Sequence, residues 1–286
     1  MNEEPLKPSP WIINTTPESF EQDVFKRSLE APVVVDFWAA WCAPCRALTP
    51  ILEGLATEFD GKFTLVKANT EEVPDAAAKF NVQGIPAVYA VIDGEVVDFF
   101  TGALPEAQIR DWLHRLFTIS TFAEAQRLEE SAPEAAEAKY RSLAEQAPNN
   151  AEFQIGLART LLAQKRFDDC QRVIEELERR GFLEPEAEKV KAALDLRGLE
   201  GIDLEQVRQA AAAEPDNFSL QLQLAEALAG SQQYEEALQT CLAIVERDRK
   251  GLGDSARQIM VDIFRVLPHD SGLTTTYRRK LSTALY

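Results

Sequence analysis

A strand that runs directly into a Cys-X-X-Cys motif is the feature that most constrains the fold of this chain. Residues 33–38 are β-branched or aromatic apart from one aspartate, which is typical of a strand buried on both faces. Cys42 and Cys45 follow, with Pro44 near the start of a helical pattern. The unpaired N–H groups of a helix N-terminus favour a thiolate over a thiol. We therefore predict that Cys42 is a nucleophile with a lowered pKa.

Two cysteines at this spacing can close a disulfide and exchange it with another disulfide. In that chemistry Cys45 is the resolving thiol. The alternative is half of a zinc site, which needs four Cys or His ligands. The remaining candidate ligands lie far along the chain: His114, Cys170, Cys241 and His269. The sequence therefore favours redox chemistry, and we expect neither a metal nor a cofactor.

The segment Asp36-Phe37-Trp38-Ala39-x-Trp41-Cys42-x-Pro44-Cys45 resembles the active site of thioredoxin. The similarity covers residues 11–117 and includes four further matching positions: Pro50, Lys67, Pro86 and Gly102. It implies an α/β thioredoxin fold and thiol–disulfide oxidoreductase activity. Ala43 stands where thioredoxins usually have glycine, and we expect it to change the redox potential modestly.

Other residues are predicted to serve the cysteine pair. Asp36 lies in an apolar strand, where burial raises a carboxyl pKa, and the resemblance makes it a proton acceptor near the resolving thiol. Lys67 is its expected partner. Trp41 is predicted to contact substrate, as are Ile85 and Pro86, whose peptide bond the resemblance implies is cis. The alternatives are an exposed strand position for the aspartate, a solvated edge position for the lysine and simple packing for the tryptophan.

Hydrophobic periodicity predicts the other elements of the first domain. A helix that starts near Thr16 precedes the buried strand, and a second, kinked at Pro50, follows Cys45. We also expect a strand at 63–68, a short helix at 74–80, a hairpin of strands 87–92 and 95–100, and a closing helix at 105–116.

The sequence changes character from Phe122 onwards, where strand patterns give way to helical periodicity. Residues 147–150 recur as 214–217, and the equivalent asparagines Asn150 and Asn217 are 67 positions apart. Other residues recur at the same offset: Leu157, Ala158, Leu161 and Phe167 recur as Leu224, Ala225, Leu228 and Tyr234. The offset is nearly two periods of the tetratricopeptide repeat (TPR), about 34 residues each.

This pattern predicts an all-α TPR-like solenoid over residues 118–286, with three to four helical hairpins. The proline-asparagine or proline-aspartate segments should start the first helix of each clear repeat, and Phe167 and Tyr234 should open the second. Cys170 and Cys241 fall on inward faces, so we expect packing residues and not redox centres.

The C-terminal segment 276–286 reverses the charge of an acidic chain with Arg278, Arg279 and Lys280. Beside these cations lies an apolar stripe at helical spacing, formed by Tyr277, Leu281 and Leu285. Two interpretations remain open. The segment is either a helix that caps the solenoid or an element that docks a partner.

A thioredoxin domain followed by a TPR array resembles the bacterial fusions known as YbbN or CnoX, the chaperedoxins. The resemblance implies a cytosolic holdase that binds unfolding or oxidised clients under oxidative stress and passes them to GroEL and DnaK. The alternative is a simple disulfide reductase whose TPRs recruit a partner. A third possibility, a TPR adaptor with a redundant thioredoxin domain, conflicts with the intact Cys-X-X-Cys motif, Asp36 and Pro86.

Charge and termini restrict the partners and the compartment. The net charge of −17 over 286 residues argues against nucleic acid and anionic membranes as partners. Residues 1–10 are expected to form a short N-terminal extension without the apolar region of a signal peptide. With four cysteines, too few for a secreted disulfide scaffold, these features predict a cytoplasmic protein.

Overall fold

The computed structural model of the chain describes residues 9–268 and 270–285. Most of the predicted N-terminal extension, the candidate ligand His269 and the terminal Tyr286 lie outside these residues. The chain divides into two compact units, Met1–Glu124 and Ala125–Tyr286. No helix in the described ranges has the length and apolar character needed to cross a bilayer.

The first unit is built on a five-stranded mixed sheet. The strands in chain order are β1 (Ile12–Asn14), β2 (Val33–Trp38), β3 (Thr64–Asn69), β4 (Ala87–Ile92) and β5 (Glu95–Thr101). Their order in the sheet is β1-β3-β2-β4-β5; β1, β3 and β2 are parallel, whereas β4 and β5 are antiparallel. The central β2 is buried on both faces, as its apolar run predicted.

Helices cover both faces of this sheet. The N-terminal segment forms a π-helical turn (Glu21–Lys26) and a 3₁₀ turn (Arg27–Leu29), followed by α1 (Ala43–Glu58), α2 (Pro74–Lys79) and α3 (Glu106–Leu128). One core packs α1 and α3 against the sheet, and a second packs the N-terminal turns and α2 against the other face. Alternating strand residues supply both cores, because successive side chains point to opposite faces.

The predicted end of the closing helix at residue 116 is wrong. Helix α3 continues to Leu128, because no glycine or proline interrupts residues 117–128. The predicted domain boundary at residues 117–118 lies inside this helix, whereas the division between the two units falls after Glu124.

The second unit contains α-helices throughout its described residues. They are α4 (Pro133–Gln146), α5 (Ala151–Ala163), α6 (Phe167–Glu178), α7 (Pro185–Gly198), α8 (Leu204–Ala213), α9 (Phe218–Gly230), α10 (Tyr234–Arg247), α11 (Gly253–Val266) and α12 (Gly272–Leu285). Sequence neighbours pack together along much of the series, for example α4 on α5, α5 on α6 and α9 on α10. The expected α/β domain followed by an all-α helical array is confirmed.

The repeat signals coincide with helix ends. Asn150 and Asn217 cap α5 and α9 by accepting backbone N–H groups, and Phe167 and Tyr234 are the first residues of α6 and α10. Gly156 on α5 permits close helix packing, since an added Cβ would lie 2.3 Å from the Tyr140 ring of α4. Asn150 and Asn217 mark the two clear repeats because each one satisfies backbone N–H groups at the start of a helix.

Candidate active site

The cysteine pair lies at the N-terminus of α1. Cys42 is the N-cap residue, and its Sγ accepts the Cys45 backbone N–H at 3.2 Å. The two residues form a disulfide, with their Cα atoms 5.3 Å apart. Both side chains are nearly fully buried. Because the two sulfurs are bonded to each other, the structure favours redox chemistry over the half-zinc-site alternative.

Asp36 lies fully buried in the middle of β2. Its Oδ2 accepts a hydrogen bond from the Thr49 hydroxyl at 2.9 Å, and its Oδ1 has no hydrogen-bond partner within the described part of the chain. Burial raises the pKa of this carboxyl to about 6, while the Thr49 hydrogen bond and then the charge of Lys67 oppose the rise. A carboxyl group with this pKa can take up a proton near neutral pH.

Lys67 stands directly opposite Asp36 in the β2–β3 register. It acts on that carboxyl through its charge, but its ion pair is with Glu53, at 2.9 Å. The direct partner of Asp36 is therefore Thr49, and the predicted simple Asp36–Lys67 pair is replaced by a four-residue network. The sequence contained a signal for it: Cys45, Thr49 and Glu53 follow one another at i, i+4 and i+8 on α1, so they share one face of the helix.

Trp41 lies at the surface beside the disulfide. Its side chain is 67% exposed, and its Nε1–H donates to Glu71 Oε1 at 3.3 Å. A ring in this position is not a packing residue of the core. Its exposure next to Cys42 is what a substrate-contact residue requires.

The Ile85–Pro86 peptide bond is cis, as the resemblance implied. Ile85 packs against the small apolar cluster that contains both cysteines. The Pro86 carbonyl accepts the Gly102 N–H at 2.8 Å, and Gly102 has a φ of +83°, which favours glycine at this position. The hairpin therefore holds this loop against the redox centre, where Ile85 packs on the cluster of Cys42 and Cys45.

Comparison with known proteins identifies the family. The chain is 47% identical over 98 residues to Thioredoxin C-2 of Corynebacterium nephridii, a match covering 34% of this chain and 89% of that protein. It is 41% identical over 102 residues to the thioredoxin of Pseudomonas aeruginosa, with 36% and 93% covered. The chain belongs to the thioredoxin family. The thioredoxin family model matches residues 11–115.

Most of the remaining residues match a different family. Two models described as tetratricopeptide repeat match residues 127–194 and 199–286. The chain thus joins a thioredoxin domain to TPR repeats, which indicate protein–protein interaction. With the Cys42–Cys45 pair, the thioredoxin relatives support thiol–disulfide oxidoreductase activity.

The other two cysteines lie outside the thioredoxin domain and are buried in the TPR unit. Burial raises the pKa of both Cys170 and Cys241 to about 12, so both are thiols at neutral pH. Cys170 also donates its S–H to the Ala158 carbonyl of α5. They are packing residues, as predicted. Among the described residues, no cluster of His, Cys, Asp and Glu could hold a metal ion.

The C-terminal stripe packs inward. Tyr277 and Leu281 are buried in the core of the TPR unit, and Leu285 is half-buried against it. The capping interpretation accounts for this placement, because α12 buries its apolar stripe within its own domain. Docking through these three side chains was one of the two interpretations that the sequence left open, and the burial of Tyr277 and Leu281 favours capping. The side chains that α12 exposes include the basic ones of residues 278–280.

Proposed function

We propose that this protein is a cytoplasmic chaperedoxin of the YbbN/CnoX kind, which exchanges thiols and disulfides with client proteins while binding them. One observation carries the proposal: an oxidised Cys-X-X-Cys pair with a buried acid lies on the same chain as a TPR array. TPR arrays bind proteins, so this arrangement brings a redox centre to a protein partner.

The exchange begins when the Cys42 thiolate attacks a client disulfide. One client sulfur becomes bonded to Cys42 and the other leaves as a thiolate that takes up a proton. Cys45 then loses its proton to Asp36 and attacks the Cys42 sulfur. The mixed disulfide breaks, the client leaves with both sulfurs reduced, and the protein holds the Cys42–Cys45 disulfide. A dithiol donor must return the pair to its reduced form.

The residues around the pair have separate tasks in this scheme. The N-terminus of α1 stabilises the Cys42 thiolate, because free N–H groups and the helix dipole point at it. The carboxyl of Asp36, with a pKa of about 6, accepts the proton of the resolving thiol. Lys67 and Glu53 hold charges beside that carboxyl. Trp41 and Ile85 contact the client around its sulfur.

The passing of clients to GroEL and DnaK follows from the family resemblance. The basic groups of α12, residues 278–280, are exposed, and such a partner would meet them. The alternative function, a reductase whose TPRs only recruit a partner, shares the same redox chemistry. The two differ in whether the protein keeps an unfolded client in solution.

The deciding experiment measures aggregation of an unfolded client and reduction of insulin disulfides in parallel. Wild type is compared with a Cys42→Ser, Cys45→Ser double variant. If the protein is a chaperedoxin, wild type and the double variant should both suppress aggregation, because holding a client needs apolar surface and no thiol. Wild type alone should reduce insulin. A protein that reduces insulin but never suppresses aggregation is a simple reductase. If wild type fails to reduce insulin, the redox proposal itself is wrong.

A further inference from the structure

Most of the large apolar side chains that the structure leaves exposed lie in the thioredoxin unit. Phe99 is 56% exposed and Val96 is 46% exposed, both on β5. Among the described residues of the TPR unit, Phe182 is the comparable side chain. Exposed apolar area is the property that binds an unfolded chain. The exposed apolar side chains of β5 therefore need an explanation within the thioredoxin unit.

These β5 side chains border a groove of about 900 Å³ on one face of the sheet. Its walls include the rings of Phe25, Phe80, Tyr89 and Phe99 together with Val96. Tyr89 and Phe99 face each other across β4 and β5, and their rings stack at 5.2 Å. A groove walled by aromatic rings fits an apolar side chain.

Charge does not favour a polar ligand here. Of the described residues that line the groove, the charged ones are Lys79 and Glu95, which have opposite signs. The ammonium of Lys79 is already engaged, because it lies 4.1 Å from the centre of the Phe25 ring and 3.6 Å from Glu21. Neither an anion nor a cation would therefore find a cluster of complementary charge.

The groove reaches the redox pair through the Ile85–Pro86 loop. Its lining includes Ile85 and Pro86, and Ile85 packs against the cluster that holds Cys42 and Cys45. Along β4, Tyr89 is three residues beyond Pro86, a distance of about 10 Å at about 3.3 Å per residue. An extended chain covers that distance in three residues. A client segment whose cysteine lies against the Ile85–Pro86 loop, beside the redox pair, can thus reach the Tyr89–Phe99 pair with a residue about three positions away.

The edge of the sheet suits an extended occupant. Within the described residues, β5 pairs with β4 alone, so its outer side is a free edge. Residues Ala90 and Val91 lie at a bulge in this pairing. The bulge leaves Val97 without a register partner, and Val97 does not line the groove although it is 37% exposed. Exposure and groove lining can therefore be tested separately on one strand.

We infer that the aromatic groove between α2 and β5 is a client subsite that binds an extended apolar segment next to the client's reactive cysteine. It selects cysteines that have an aromatic residue about three positions away. The inference rests on the proposed exchange with protein clients, and it places recognition of their apolar segments on the thioredoxin domain.

The test uses the full chain, reduced and freed of excess dithiol, in excess over peptides whose cysteine is joined to thionitrobenzoate. Attack of Cys42 on the peptide sulfur releases coloured thionitrobenzoate, and Cys45 then frees the peptide thiol while the protein becomes oxidised. Two peptides carry phenylalanine three residues before or three residues after the cysteine. A third carries serine at both places. The measurement is the second-order rate constant of each aromatic peptide divided by that of the serine peptide.

We expect wild type to favour at least one aromatic peptide. Phe99→Ser and Val96→Ser should each lower that preference about three- to tenfold, the scale of one lost aromatic contact. Val97→Ser, the matched control on the same strand, should leave it unchanged. All three changes are at exposed side chains, and melting curves establish that each variant is folded.

Three results would overturn the inference. Wild type that shows no preference between the peptides has no such subsite. An equal loss in Val97→Ser would mean that general surface hydrophobicity, and not the groove, sets the rate. A concentration-dependent dimer that Phe99→Ser dissolves would assign the groove to a second copy of this chain. In each case the serine peptide still reports the exchange reaction, so failure of the groove is distinguishable from failure of the redox function.

Discussion

Asp36 should make the oxidised protein less stable at neutral pH than at acid pH. Its carboxyl is fully buried, and burial raises its pKa from 3.8 to about 6. Because the folded state holds this proton more tightly than the unfolded state, the associated stability is complete below pH 3.8 and is lost as the pH rises through 6. A shift of about 2 pH units at about 1.36 kcal/mol per unit amounts to about 3 kcal/mol.

Asp36→Asn removes this pH-dependent contribution to the unfolding free energy. Urea unfolding of the disulfide form is followed from pH 4 to pH 8 by tryptophan fluorescence, because all 4 tryptophans lie in the thioredoxin unit. Relative to wild type, the variant should gain about 2–3 kcal/mol in unfolding free energy over this range. The pH-independent cost of changing the side chain cancels in the comparison. In the reduced protein the same variant should slow disulfide reduction at pH 7, since it cannot accept the proton from Cys45.

The control is Asp75→Asn, which changes an exposed carboxyl on α2 of the same unit. Its unfolding free energy should follow that of wild type across the pH range. If the curves of Asp36→Asn and wild type run parallel within about 0.5 kcal/mol, burial does not govern this carboxyl and the reasoning is refuted.

Three other predictions concern different parts of the chain. Thr49→Val removes the hydroxyl that donates to Asp36 at 2.9 Å, so it should raise the pKa of Asp36 further and shift the pH–rate profile of disulfide reduction to higher pH. Thr49→Ser keeps a hydroxyl and should retain the wild-type profile. Cys45→Ser should trap clients as mixed disulfides visible on a non-reducing gel, whereas Cys42→Ser should trap none; equal trapping would reverse the two roles. Deleting residues 272–286 removes the stripe that α12 buries, so the TPR unit should melt about 5 °C or more lower by calorimetry. If the deletion leaves the melting point unchanged but abolishes chaperonin binding, the stripe is a docking element and not a cap.

Local signals determined what the sequence revealed correctly. A strand, a Cys-X-X-Cys motif and a helix start lie next to one another in the chain, so their arrangement needs no knowledge of the fold. The same holds for Asn150 and Asn217, which cap helices through bonds to residues two or three positions away. The end of α3 was missed for the opposite reason. Sequence signals mark helix ends by breakers, and residues 117–128 contain none.

Tertiary packing decided which faces of the helices and strands contact one another and which remain exposed. The spacing of Thr49 and Glu53 on α1 was visible in the sequence, but only the packing of α1 on the sheet shows that one bonds to Asp36 and the other to Lys67. An amphipathic helix can bury its apolar stripe within its own domain or against a partner protein, and both arrangements have the same sequence periodicity. The sheet order decided the exposure of Phe99 likewise, because an edge strand and a central strand share one hydrophobic pattern until their neighbours are known.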